Sequence, residues 1–185
     1  MAESPLASTW RGPAALAAVS EQLARERVVQ LSGFFAEPLP EPPAGQLARE
    51  ERPGFAVRET EPSLLVDFWR LPVLAEWLAR VTGTRWELRD CRYERYGPGD
   101  YSLLHDAEGE GERLLLALDL TRRPQALLGG FHIFSFADGA QETCKRETGA
   151  LLLARLGAGD LDCVRYVSQL SQGAVRLECA HFELR

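Results

Sequence analysis

Apolar positions in the first third of the chain recur at helical spacing. Pro13 opens a run in which Leu16, Val19 and Leu23 share one face, and a proline is tolerated at the first position of a helix. A second run, Leu71 to Val81, gathers Leu74, Trp77, Leu78 and Val81 on one side, with Gly83 placed to end it. Between them Val28 to Phe35 reads as a strand, and the proline-rich stretch 37–45 reads as a loop at a rim or over a pocket, because it can continue neither a helix nor a central strand.

Beyond Gly83 the period changes. Short β-branched, aromatic and leucine-rich runs separated by turn residues predict strands at Trp86 to Tyr96, Tyr101 to His105, Leu114 to Leu120, Phe131 to Phe136, Ala150 to Leu156, Val164 to Leu170 and Val175 to Leu184. Helices followed by strands, with no internal repeat and no βαβ alternation, predict one mainly β domain over residues 1–185. Helical support over about 10–85 would pack on one sheet of a β core over about 86–185.

Composition narrows the function. The 185 residues suit one core, and 45% hydrophobic with 26% charged residues is ordinary for a globular chain. A formal charge of −6 with a single lysine, Lys145, argues against a nucleic-acid surface. Arginines such as Arg25, Arg27, Arg49, Arg52 and Arg58 alternate with glutamates and read as a mixed-charge surface. Cys91, Cys144, Cys163 and Cys179 are far apart, with none of the close spacings of zinc, redox or disulfide frameworks. No secretory leader pattern and no bilayer-length apolar run is present, so a cytoplasmic protein without membrane or nucleic-acid partners is expected.

The chemistry-bearing residues lie in the second half. Tyr96 is followed by the turn Gly97-Pro98-Gly99, then by His105-Asp106-Ala107. Downstream come the strand-like run Gly111 to Thr121, the pair Gly129-Gly130, and the segment Val164 to Leu177, which carries Arg165 and Arg176. In this order and spacing, from about Arg92 to the end, the chain resembles the 2-oxoglutarate/Fe(II) oxygenase superfamily, in its prolyl-hydroxylase-like branch, which includes ribosomal-protein hydroxylases. The resemblance implies a double-stranded β-helix, a jelly-roll or cupin-like barrel, with Fe(II) and 2-oxoglutarate as cofactors. It also implies that His105 is a metal ligand and that Tyr96 and Arg176 hold a carboxylate of 2-oxoglutarate.

The resemblance also exposes a departure. An Fe(II) site of this kind needs two imidazoles and one carboxylate on one face of the ion. The carboxylate position holds Ala107 and the distal histidine position holds Arg165, which carries a permanent charge and no lone pair for a metal. Ala107 by itself would match the related halogenases, but these keep both histidines. Asp106 or Glu108 near the first position, and Tyr166, Asp160 or Asp162 near the second, are alternative donors, at the cost of a strand slip for the latter group. His132 and His181 are read as structural, His181 alternating away from Arg176 along the last strand.

These residues leave two functions open. One is an oxygenase-fold pseudoenzyme with a degenerate iron site, acting as a binding or interaction domain for a dicarboxylate or a protein. The other is an active dioxygenase that hydroxylates a protein or small molecule through a rearranged site. In either case His105, Arg165 and Arg176 are expected to converge inside one barrel. A third possibility, a purely structural barrel, would leave the motif order unexplained.

Overall fold

The structure is a computed structural model, and it describes residues 5–36, 39, 41, 47–52, 56–104, 111–122 and 126–185. Helix α1 (Pro13–Glu26) starts at a proline and ends where Arg27 turns left-handed at φ 61°; it buries Leu16, Val19 and Leu23. Strand β1 (Val28–Leu31) follows, then β2 (Ala48–Arg52) and β3 (Ala56–Pro62). A single turn, α2 (Val66–Trp69), precedes α3 (Pro72–Thr82), which starts at a proline, ends at left-handed Gly83 and buries Leu74, Trp77, Leu78 and Val81. The remaining strands are β4 (Trp86–Tyr96), β5 (Tyr101–Ser102), β6 (Arg113–Asp119), β7 (His132–Ser135), β8 (Gln141–Cys144), β9 (Leu151–Leu156), β10 (Leu161–Val164) and β11 (Val175–Leu184).

All the pairings are antiparallel. The larger sheet runs β1-β9-β6-β11-β4-β3-β2, with β5 paired to β3; the smaller runs β10-β7-β8. Strand β6 is buried along its whole length because it is covered on both faces. Leu114, Leu116 and Leu118 pack with the helices, in one cluster with Trp69, Leu74, Trp77 and Leu78. Leu115 and Ala117 face the smaller sheet, in a second cluster with Phe134, Val164, Val175 and Leu177. Two cores on either face of one curled sheet, with helices against the outer face, give a mainly β architecture. Trp77 ties the helical layer to the N-terminal segment: its Nε1 donates to the Trp10 carbonyl at 2.8 Å and its ring meets Phe34 edge-on.

Several predicted elements differ. The region before residue 86 supplies three strands to the larger sheet as well as helices. The sequence reading missed β2 and β3 because Ala48–Arg52 and Ala56–Pro62 are rich in charges: β2 is a mostly exposed edge strand, and β3, although it lies inside the sheet between β4 and β2, carries Arg58, Glu59 and Glu61 and shows little apolar alternation. Exposed β8 was missed for the same reason. The strand predicted from Val164 to Leu170 is instead the end of β10 followed by a turn, with one isolated bridge between Val167 and Gly129.

Candidate functional site

The side chains between the two sheets are set by the pleat of three neighbouring strands. On β4, Arg92, Glu94 and Tyr96 lie opposite Cys179, Leu177 and Val175 of β11, and directly opposed residues share a face. Val175, Leu177, Cys179 and Tyr96 belong to the cluster between the sheets, so this face is the barrel interior. On β3, Arg58 stands two residues from Thr60, the partner of Glu94, and so points the same way.

These residues form one closed network. Arg58 Nη1 lies 2.8 Å from Glu94 Oε1 and donates to the Tyr96 hydroxyl at 3.0 Å, while its Nε donates to Glu50 at 2.8 Å. The Tyr96 hydroxyl in turn donates to Glu94 Oε2 at 2.8 Å, and Arg92 Nε donates to Glu94 Oε1 at 2.7 Å. Arg58 and Glu94 are each 4% exposed and Tyr96 is fully buried. Burial works to raise the Glu94 pKa, but Arg58, Arg92 and the Tyr96 bond outweigh it and hold the carboxyl below its usual range. Burial and then the Glu94 charge hold the Tyr96 phenol well above its usual range, so it remains a donor. Burial also opposes the Arg58 charge, yet Glu94, Tyr96 and Glu50 leave the guanidinium more firmly protonated than usual.

Beside this network His132 of β7 places Nε2 3.0 Å from Asp162 of β10 and stacks on Phe134. His181 of β11 also faces inward, opposite Leu115, with its pKa lowered mainly by burial. The cavity between Arg58, Glu94, Tyr96, His132, Asp162 and His181 is about 20 Å³, room for roughly one water molecule. A second cavity, about 40 Å³, lies between His132, Ala117, Leu177 and Arg146. Arg146 is held there by Asp119 at 3.1 Å, by the Gly130 carbonyl at 3.0 Å and by Thr121.

Of the residues singled out in the sequence, Tyr96 lies inside the barrel and two others do not. Arg176 opposes Arg95, on the face away from Tyr96, while Val175 takes the inward position across from Tyr96. The contrast between Arg176 and His181 holds, but His181 is the inward one. Arg165 is exposed just beyond the end of β10, and its backbone N–H donates to the Phe131 carbonyl. Val164 points inward in its place, opposite His132. The expected convergence of Arg165 and Arg176 in one interior is therefore corrected: each sits one residue out of phase with the inward face. His105 and Ala107, with Asp106 and Glu108, lie outside the described residues. Asp162 faces His132, Asp160 accepts from the Gly157 and Ala137 amides at the β9–β10 and β7–β8 turns, and Tyr166 is exposed.

The reading of the sequence missed Arg58, Arg92 and Glu94. Strict alternation over Arg92-Tyr93-Glu94-Arg95-Tyr96 would have placed Arg92 and Glu94 on the face of Tyr96. Arg58, read with Arg49 and Arg52 as part of a mixed-charge surface, is instead buried against Glu94 and Glu50, because its strand, not foreseen, turns it into the barrel.

Among the described residues, which leave out 105–108, no group of three or more His, Cys, Asp or Glu side chains is placed to hold a metal ion. The tyrosine that would receive a 2-oxoglutarate carboxylate already donates to Glu94, and the nearest inward residue of β11 is an uncharged valine.

No protein-family model matches this chain, and no curated protein matches it by sequence. Solved structures do match. An oxidoreductase of the 2OG-Fe(II) oxygenase family from Burkholderia pseudomallei superposes with a TM-score of 0.66 at 14% identity, covering 94% of this chain and 91% of that one. A prolyl-4-hydroxylase from Pseudomonas putida gives 0.62 at 18% identity, covering 92% and 98%. A prolyl hydroxylase from Trichoplax adhaerens, solved with a hypoxia inducible factor peptide fragment, gives 0.62 at 12% identity, covering 90% and 88%. With its curled larger sheet, smaller facing sheet and outer helices, this chain has the double-stranded β-helix fold of the 2-oxoglutarate/Fe(II) oxygenases, prolyl hydroxylases among them.

Proposed function

We propose that the chain is an oxygenase-fold pseudoenzyme, a binding or interaction domain that does not turn over 2-oxoglutarate. The observation that carries this reading is Glu94: a carboxylate of the chain itself takes the Tyr96 hydroxyl and the Arg58 guanidinium inside the barrel. Ala107 at the expected carboxylate position supports it from the sequence. With the interior closed around its own charges, the partner is a protein docked on the outer surface rather than a dicarboxylate inside. Unpaired thiols at Cys91, Cys144, Cys163 and Cys179 fit a reducing, cytoplasmic setting. Among the described residues no helix is long and apolar enough to cross a membrane.

Anaerobic titration of the unmodified protein with Fe(II) or Mn(II), followed by an assay for succinate from 2-oxoglutarate in air, tests the reading. The expected result is no stoichiometric metal binding and no succinate. Tight one-to-one binding with turnover would overturn it in favour of an active dioxygenase with a rearranged site.

A further inference from the structure

Glu94 is engaged by three groups at once: it accepts hydrogen bonds from Tyr96 at 2.8 Å and Arg92 at 2.7 Å and is ion-paired with Arg58 at 2.8 Å. Two guanidinium groups and a phenol converging on two carboxylate oxygens, with the carboxylate 4% exposed, are the components of a protein site for a bound carboxylate. Here the carboxylate is tethered by two methylenes to the strand that also carries Tyr96. The local charge balance depends on it. Arg58 faces Glu94 and Glu50, and Arg92 faces Glu94 with Asp90 4.0 Å away, so losing Glu94 removes the one anion that the two guanidinium groups share, beside a buried Arg58.

We propose that Arg58, Arg92 and Tyr96 form a carboxylate-binding site whose ligand is Glu94 of the same chain, so that emptying position 94 makes the barrel interior a receptor for a small free monocarboxylate. The proposal rests on the reading of the interior as closed and non-catalytic. Size sets the ligand. Glu94→Ala removes a CH2–COO⁻ unit, which has the heavy atoms of acetate; the adjoining cavity of about 20 Å³ adds no room for a second carboxylate arm. Acetate restores both oxygens to the three donors. Acetamide has the same shape but brings no charge and, at one of the two oxygen positions, sets an NH2 donor against donors.

The test is thermal unfolding of Glu94→Ala, refolded from urea with increasing sodium acetate, acetamide or sodium chloride, at matched ionic strength and without metal or 2-oxoglutarate. Acetate is expected to raise Tm by about 5 °C as it saturates, since a ligand bound to the native state alone stabilises it by mass action. Acetamide and chloride should do little. The unmodified protein, and Glu94→Gln, whose amide still fills the space, should not respond to acetate. Glu94→Ala with Arg58→Met should lose the acetate response, because the guanidinium is gone. If Glu94→Ala does not survive heating as soluble protein, refolding yield replaces Tm, with acetate expected to raise it several-fold over acetamide. Equal effects of acetate and acetamide, or an acetate effect that persists without Arg58, would overturn the proposal. Succinate production by the unmodified protein would overturn the non-catalytic reading instead, so the two failures are separable.

Discussion

Arg58 is a buried cation whose partners are all fixed, and that makes it a sensitive residue rather than a strong source of stability. A buried ion pair repays its desolvation only while every partner remains, so deleting one member leaves an uncompensated charge. Arg58→Met and Glu94→Gln are each expected to destabilise the fold by about 3–5 kcal/mol, whereas the double variant should lose clearly less than the sum. Urea denaturation of the four proteins measures this, and strict additivity would contradict the pairing of Arg58 with Glu94. His181 makes the interior sensitive to acid. Burial lowers its pKa first, Arg92 lowers it further, and Asp162, Glu94 and Asp90 oppose them. A histidine whose folded pKa lies below its unfolded value binds protons more readily when unfolded, so stability is full above about pH 6.5 and falls as pH drops below it. Glu94, whose pKa is also lowered, adds a second loss only in the carboxylate range. Tm measured between pH 8 and pH 5 should therefore decline, and His181→Gln should flatten the part of that decline nearest pH 6.

At the scale of the element, the start of β7 shows a feature legible in sequence and one that was not. The pair Gly129-Gly130, singled out in the sequence, stands just before β7, and both residues have positive φ, at 85° and 69°. A methyl group at 129 would run into the Tyr166 carbonyl, which is backbone, while one at 130 would meet the Val175 side chain. Positive φ alone costs a non-glycine residue about 1–3 kcal/mol. Gly129→Ala should exceed that and resist rescue, whereas Gly130→Ala should be partly restored by Val175→Ala; chemical denaturation of the single and double variants separates the two. The phase of β11 was not legible. Its residues from Leu177 to Ala180 are buried on both faces, so alternation of apolar and polar side chains carries no signal of which face is inward. Arg176 was placed by resemblance, and the pairing of Val175 with Tyr96 shows the phase to be one residue off. The stripes of α1 and α3, each buried on one side only, had no such ambiguity.

For the whole molecule, a mainly β domain with helices packed on one sheet could be read from short apolar runs and turn residues, because these depend on local pattern, while the double-stranded β-helix came from the resemblance and the charged strands β2, β3 and β8 were not seen. The site could not be read, because it depends on which residues from β3, β4, β7, β10 and β11 meet: among the described candidates Tyr96 and Asp162 lie in that interior, whereas Arg165 and Arg176 do not. The same geometry decides what would restore iron chemistry. From the sequence, Ala107→Asp with Arg165→His supplies the missing carboxylate and imidazole and should create a metal site. In the fold, position 165 is exposed beyond the end of β10, and the inward position on that strand belongs to Val164, against His132 and the Ser102 hydroxyl that accepts its amide proton. An imidazole at 165 therefore starts from the outer face, and turning it inward would shift the register that buries Asp162 and Val164. The double variant is expected to bind Fe(II) or Mn(II) no more tightly than the unmodified protein in an anaerobic titration followed by calorimetry. Stoichiometric binding gained only when both substitutions are present would show that residues 107 and 165 do meet, and that the barrel can still assemble the ligand set its motif order implies.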